Sequence, residues 1–207
     1  MKPLRLLLTG FEPFGGSRLN PSQQVALALH EAGLPGIELH TAILPVERLG
    51  GPRALLEAIT AVRPQAVLCL GEATRRAVLS IERVGINLQD YRIADNAGNQ
   101  VEDQPVGADG PAAYFATLPV RAMLQAVLAA GVPAELSLSA GAFLCNQVLY
   151  TALHFIHTRR LAMQAGFIHL PSLPEQALNA SPFMPSMSLE TSLKGVTAAL
   201  LAVRDQA

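Results

Sequence analysis

Short apolar runs with little polar alternation recur along the chain, separated by stretches whose apolar residues return every three or four positions. The runs Leu4 to Leu8, Ile37 to Leu44, Ala66 to Leu70, Leu136 to Leu138 and Gly166 to Leu170 predict strands. Ala66-Val67-Leu68-Cys69-Leu70 has no polar position at all, as expected of a strand covered on both sheet faces. Helices are predicted over 21–33, 52–62, 120–130, 146–160 and 189–204. The first carries a full set of start and stop signals: Asn20 as N-cap, Pro21 at the first position, Gln23 reaching back, and Gly33 at the end. Strands alternating with helices predict one α/β domain over residues 1–207, with helices on both faces of the sheet.

The middle of the chain breaks this rhythm. Val78 to Ile81 and Val84 to Leu88 are short β-like runs. Ala94 to Asp109 is polar and contains glycines, which predicts a long loop or hairpin excursion. Pro171 to Ser188 is rich in Pro and Ser and reads as a second long loop.

Composition narrows the class. Half of the 207 residues are hydrophobic and only 15% are charged, so the chain buries a sizeable core without staples. The formal net charge is -1, which leaves no basic field for nucleic acid or an anionic membrane. Near-zero charge and a mean hydropathy of +0.32 favour self-association. No apolar run approaches the ~20 residues of a membrane span, and no signal-like segment opens the chain, so the expected compartment is the cytoplasm. The two cysteines lie far apart and suggest neither a disulfide framework nor a zinc site.

The chemistry-bearing residues fall into three places. Gly10 to Ser17 follows a strand with phosphate-loop spacing, but Gly16 stands where such a loop needs its Lys, and Glu12 adds negative charge. Nucleotide binding is therefore set aside, and Phe11 and Phe14 are read as core or as walls of an apolar pocket. Cys69 sits inside an apolar strand and reads as inert. Cys145 follows Ser139-Ala140-Gly141 and precedes the helix start read at Asn146, where first-turn N–H groups and the helix dipole favour a thiolate. A nucleophilic Cys needs a base. His169, at the carboxyl end of a strand, is the best placed of the five histidines, whereas His154 and His157 lack a third metal ligand. Which carboxylate orients His169 stays open among Glu72, Glu82 and Asp95.

Three blocks of the sequence resemble the pyroglutamyl peptidase type I family, the pyrrolidone-carboxylate peptidases. They are Thr9 to Gly16 with Asn20-Pro21-Ser22; Glu82-Arg83-Val84 through Ile86-Asn87, Asp90, Arg92-Ile93, Asp95-Asn96 and Gly98-Asn99-Gln100; and Ser139-Ala140-Gly141, Cys145-Asn146, Phe167-Ile168-His169 and Pro171. The resemblance implies a single-domain three-layer α/β/α sandwich with a mixed, mostly parallel sheet. It also implies a cysteine peptidase that removes N-terminal pyroglutamate through a thioester. By position, Cys145 is then the nucleophile, His169 the base and later acid, Glu82 the orienting carboxylate, and Arg92 an oxyanion partner. Phe11, Phe14, Asn20, Ile93, Phe143 and Leu144 match positions that frame the ring. No cofactor and no metal are implied. The expected partners are peptides beginning with pyroglutamate and further copies of the chain, often a tetramer in the family.

The chain departs from the family pattern at Ile81, Ala94, Ala142 and Gln147, and above all in one block. Gly71-Glu72-Ala73-Thr74-Arg75-Arg76 stands where the family has Gly-Gln-Ala-Gly-Gly-Arg. Glu72 belongs to the expected substrate-binding set, and a backbone contact, with the carboxylate turned to solvent near Arg75 or Arg76, is the favoured expectation. The block from Glu72 to Arg75 motivates one alternative, a related cysteine amidase with a shifted substrate; a second, a non-catalytic peptide-binding relative, is opposed by the intact Cys145, His169 and Glu82.

Overall fold

Six strands form the central sheet in the order β2-β1-β3-β8-β4-β7, in a computed structural model that describes residues 2–178, 180 and 182–207. They are β1 (Leu4–Phe11), β2 (Ile37–Leu44), β3 (Ala66–Glu72), β4 (Leu79–Glu82), β7 (Ala134–Ser137) and β8 (Gln164–Leu170). Every neighbouring pair is parallel except β4 and β8, which run antiparallel. A separate two-stranded ribbon joins β5 (Val84–Ile86) to β6 (Ala113–Phe115). The sheet is thus mixed and mostly parallel.

Side chains of a strand alternate between faces, and here each face builds its own core. Leu6 and Leu8 of β1, Leu68 and Leu70 of β3, and Ile168 and Leu170 of β8 enter one cluster. That cluster also holds Val25 and Leu29 of α1 (Pro21–Ala32), Met123 and Val127 of α3 (Val120–Ala129), and Val196 and Leu200 of α6 (Leu189–Asp205). Leu7, Val67, Cys69, Ala165 and Phe167 enter the other, with Leu55 and Ile59 of α2 (Gly50–Val62) and Val148 and Leu149 of α4 (Leu144–Arg159). Helices on both faces make the three-layer sandwich.

The start of α1 follows its local signals, with one change. Asn20 accepts from the Ser22 N–H at 3.0 Å and the Ser22 hydroxyl at 2.7 Å, and Pro21 opens the helix. Ser22, not Gln23, completes the cap. The last strand before the final α-β unit forms at Ala134–Ser137, two residues ahead of the Leu136–Leu138 expectation. The run 94–109 does fold back on its approach: Gln89 and Gln104 exchange backbone bonds of 2.6 and 3.0 Å, and Tyr91 N–H reaches Val101 at 2.8 Å. Among the described residues of the 171–188 segment there is one helical turn, α5 (Pro174–Ala177). No helix among the described residues is long and apolar enough to cross a membrane.

Gly10 lets α1 approach the sheet. A Cβ there would stand 2.4 Å from the Ser22 carbonyl oxygen and 2.9 Å from Gln23 N, backbone atoms that have no rotamer to yield. Gly10→Ala is expected to lower the unfolding free energy by about 2 kcal/mol, the mid-range for overpacking, read as a lower urea midpoint. An unchanged midpoint would show that α1 is free to shift.

Candidate active site

Strand alternation decides which side chains meet. His169 shares the face of Ala165 and Phe167, the face covered by α4. In β3, Gly71 lies opposite His169 and shares the face of Cys69. In β4, Ser80 pairs with His169 and Glu82 with Phe167, so Glu82 is the diagonal neighbour of His169 on that same face. The antiparallel β4 therefore delivers a carboxylate beside the histidine from a distance of 87 residues in sequence.

The contact is short and dry. Glu82 Oε1 lies 2.7 Å from His169 Nδ1, with Glu82 fully buried and His169 4% exposed. The same oxygen accepts from Arg76 Nη1 at 2.5 Å, while Arg76 Nη2 donates to the Ser139 carbonyl at 2.7 Å. Burial pushes the Glu82 carboxyl up, but the His169 hydrogen bond and charge, with Arg76 behind them, outweigh it and hold the group below the usual range. An ionised carboxylate only accepts, so Nδ1 carries the imidazole proton and Nε2 is left as an acceptor. Burial also lowers the His169 pKa against the opposing pull of Glu82, and Arg76 adds to the lowering. The balance favours the neutral imidazole.

Cys145 sits in the first turn of α4, which begins at Leu144 and not at Asn146. The N-cap residue Phe143 offers no side-chain acceptor, so first-turn N–H groups, that of Cys145 among them, are left without intrahelical partners. The Cys145 sulfur stands over Gly71: a Cβ on that glycine would lie 2.8 Å from Sγ and 2.6 Å from the Phe167 ring. Only a residue without a side chain leaves the Cys145 sulfur its place. The thiolate expected from the helix start is not the resting form. Enclosure of the sulfur, followed by the negative charges of Glu82 and Glu72, pushes the thiol up to about 12 despite Arg76. Cys69 is buried and likewise pushed up, to about 11.

Cys145 and His169 open into one cavity of about 270 Å³, lined also by Phe14, Glu72, Asp90, Arg92, Ile93 and Phe143. Tyr91 meets Phe143 edge-on at 4.6 Å, and Phe14 lies 6.1 Å from the Phe143 ring, which gives the cavity an aromatic wall. The other expected pocket residues lie behind this surface. Phe11 and Leu144, 2% and 1% exposed, belong to the core of the α2–α4 face. Asn20 is fully buried as the α1 cap and donates to the Glu12 carbonyl at 3.0 Å.

Glu72 departs from its expectation. Its side chain is 8% exposed, not in solvent, and meets neither Arg75 nor Arg76. Oε1 accepts from Ser172 Oγ at 2.6 Å and from Gln176 Nε2 at 3.0 Å, and Gln176 also reaches Ser17 at 3.2 Å. The carboxylate ties β3 to α5 and to the loop before α1, and burial raises its pKa. Asp95, the third candidate, caps its own loop by accepting from Arg48 N–H at 2.6 Å and from Asn99 N–H at 2.7 Å.

Several contributors carried no signal that sequence reading used. The sequence offers Arg76 only as a possible neighbour of Glu72. Asn146 looked like a helix start, yet its side chain bonds Ile86 N–H at 2.8 Å and the Ile86 and Leu88 carbonyls at 2.9 Å. Gln147 accepts from the Tyr91 hydroxyl at 2.5 Å and so steadies the aromatic wall.

Comparison with known proteins agrees with this architecture. The pyroglutamyl peptidase family model matches residues 4–206. The chain is 48% identical to the pyrrolidone-carboxylate peptidase of Vibrio vulnificus strain CMCP6 over 192 residues, covering 93% of this chain and 89% of that protein. It is 47% identical to the pyrrolidone-carboxylate peptidase of Gloeobacter violaceus over 203 residues, covering 98% of both. The crystal structure of Bacillus amyloliquefaciens pyroglutamyl peptidase I superposes with a TM-score of 0.93 at 34% identity, covering 98% of this chain and 97% of that one. With a buried Glu–His pair behind a cysteine on the matching fold, the chain belongs to the pyroglutamyl peptidase family, cysteine peptidases that remove N-terminal pyroglutamate from peptides.

Proposed function

We propose that Cys145, His169 and Glu82 carry out this reaction, with the lactam ring held in the cavity of Phe14, Ile93 and Phe143. The 2.7 Å bond from His169 Nδ1 to buried Glu82, directly behind the cavity that holds Cys145, carries the reading. A pyroglutamyl residue presents a neutral lactam in place of an ammonium. A small, largely apolar cavity with few polar groups suits it. Glu72, at the end of β3, contributes to the cavity edge through its backbone, since its carboxylate is engaged by Ser172 and Gln176.

The chemistry follows from the neutral pair. Cys145 Sγ attacks the carbonyl that joins pyroglutamate to the next residue, and its proton passes to His169 Nε2 as the bond forms. The imidazolium is stabilised by Glu82. The tetrahedral oxyanion faces the open N–H groups of α4 and Arg92, which lines the cavity. Collapse breaks the C–N bond, and His169 gives its proton to the leaving amine. The thioester is then cleaved by a water that transfers its proton to His169, which releases pyroglutamate and restores the thiol. The protein is expected to act in the cytoplasm on peptides or proteins that begin with pyroglutamate, and to do so as a homo-oligomer.

Release of a fluorophore from a pyroglutamyl amide, measured under reducing conditions, tests this reading. Cys145→Ser is expected to abolish turnover, while Cys69→Ser keeps most of it. Absence of turnover in the unsubstituted protein, or activity that follows Cys69, would overturn the assignment.

Arg76 supplies a second test. Its charge keeps Glu82 ionised and disfavours protonation of His169. Arg76→Met removes that repulsion, so the imidazole is protonated at higher pH and less base is available on the acid side. The acid limb of kcat/KM is expected to move upward in pH, with kcat down by roughly tenfold for a lost charge-assisted bond of about 1.4 kcal/mol. Arg76→Lys should recover part of the shift. A fall in activity with an unmoved acid limb would assign Arg76 a purely structural role.

A further inference from the structure

A second cleft, of about 500 Å³, adjoins the ring cavity and shares with it His169, Arg92 and the main chain around Ala73 and Gly141. Three arginines line it: Arg75, Arg76 and Arg92. Arg76 is committed to Glu82 and the Ser139 carbonyl. Arg75 and Arg92 are exposed, and among the described residues neither has a carboxylate within ion-pair distance. Among the described residues no Asp or Glu lines the cleft. Glu82 is buried behind His169, and the acidic residues that line the site, Glu72 and Asp90, border the ring cavity instead. Charge is therefore unevenly divided across the site: Glu72 and Asp90 border only the ring cavity, Arg75 and Arg76 border only the second cleft, and Arg92 stands at the boundary of both.

The chemistry orients a substrate across this boundary. The acyl half must place its carbonyl over Cys145 with the ring in the aromatic cavity. The leaving nitrogen must face His169, which protonates it, and the rest of the peptide continues past His169 into the arginine cleft. We infer that the Arg75–Arg92 cleft binds the leaving portion of the peptide and selects for a carboxylate close behind the scissile bond. This rests on the reading of the site as a pyroglutamyl peptidase. The carboxylate can come from an Asp or Glu side chain just after pyroglutamate, or from the free C-terminus of a very short peptide. Arg75 is the distinguishing element, since it stands where the resembling family has Gly.

Both guanidinium groups are solvated, so the preference is modest and sensitive to salt. The test compares kcat/KM for four peptides: pGlu-Glu-Ala-amide, pGlu-Lys-Ala-amide, pGlu-Ala-amide and pGlu-Ala with a free carboxylate. The Glu peptide is expected to exceed the Lys peptide by about fivefold, the upper range for an exposed ion pair, and free pGlu-Ala to exceed its amide by a smaller factor. Arg75→Gln should bring the Glu-to-Lys ratio near one, and 0.5 M NaCl should do the same to the unsubstituted protein. Preference for the side-chain carboxylate alone assigns the cleft to longer acidic peptides; preference for the free terminus alone assigns it to dipeptides. Equal cleavage of all four, or a ratio unchanged by Arg75→Gln, overturns the inference and leaves the peptidase reading intact. Cleavage of none overturns both.

Discussion

The hydrogen bond between buried Glu82 and His169 is the constraint around which this site is built. A fully buried carboxylate without partners would cost several kcal/mol, so its companions are fixed by that need. His169 supplies one donor and Arg76 another, both to Oε1. The antiparallel β4, an exception in an otherwise parallel run of neighbours, exists in a position that sets Glu82 diagonal to His169. Arg76 binds the Ser139 carbonyl as well, and so fastens the carboxylate to the turn that leads into α4, the helix of Cys145. Backbone register, a loop arginine and the start of α4 converge on one oxygen atom.

That arrangement sets the protonation states. The open N-terminus of α4 favours a thiolate at Cys145, and a helix-start argument alone would put one there. Two opposing effects are larger: the sulfur is enclosed over Gly71 and Phe167, and the charges of Glu82 and Glu72 are close enough to raise the thiol to about 12. Burial also disfavours a proton on His169, against the pull of Glu82. In the proposed mechanism the ion pair forms during attack, when the oxyanion and the helix N–H groups compensate each other. Preorganised donors then act on charge as it appears.

Much of the fold was legible in the sequence because its signals are local. Asn20-Pro21 and Gly33 mark α1, and the unbroken apolar run at Ala66 marks a central strand. The misses trace to residues whose partners are far away in sequence. Asn146 has the composition of a cap, but its amide is held by Ile86 and Leu88, and α4 begins two residues earlier. β6 is three residues long with exposed ends, and only pairing with β5 makes it a strand. Phe11 and Phe14 are equivalent in the loop pattern, yet the first faces the core and the second the cavity. The choice among Glu72, Glu82 and Asp95 was settled by resemblance and not by pattern. It depends on the β4–β8 register and on which sheet face each carboxylate takes.

The state of His169 is the most direct measure of this design. Nitrogen-15 NMR of histidine-labelled protein at pH 7, assigned with His169→Gln, reports tautomer and charge together. The expected result is a neutral His169 ring with its proton on Nδ1, a strongly downfield Nδ1–H resonance from the bond to Glu82, and loss of that resonance in Glu82→Gln. An imidazolium at pH 7 in the free protein, or a neutral ring protonated on Nε2, would contradict it.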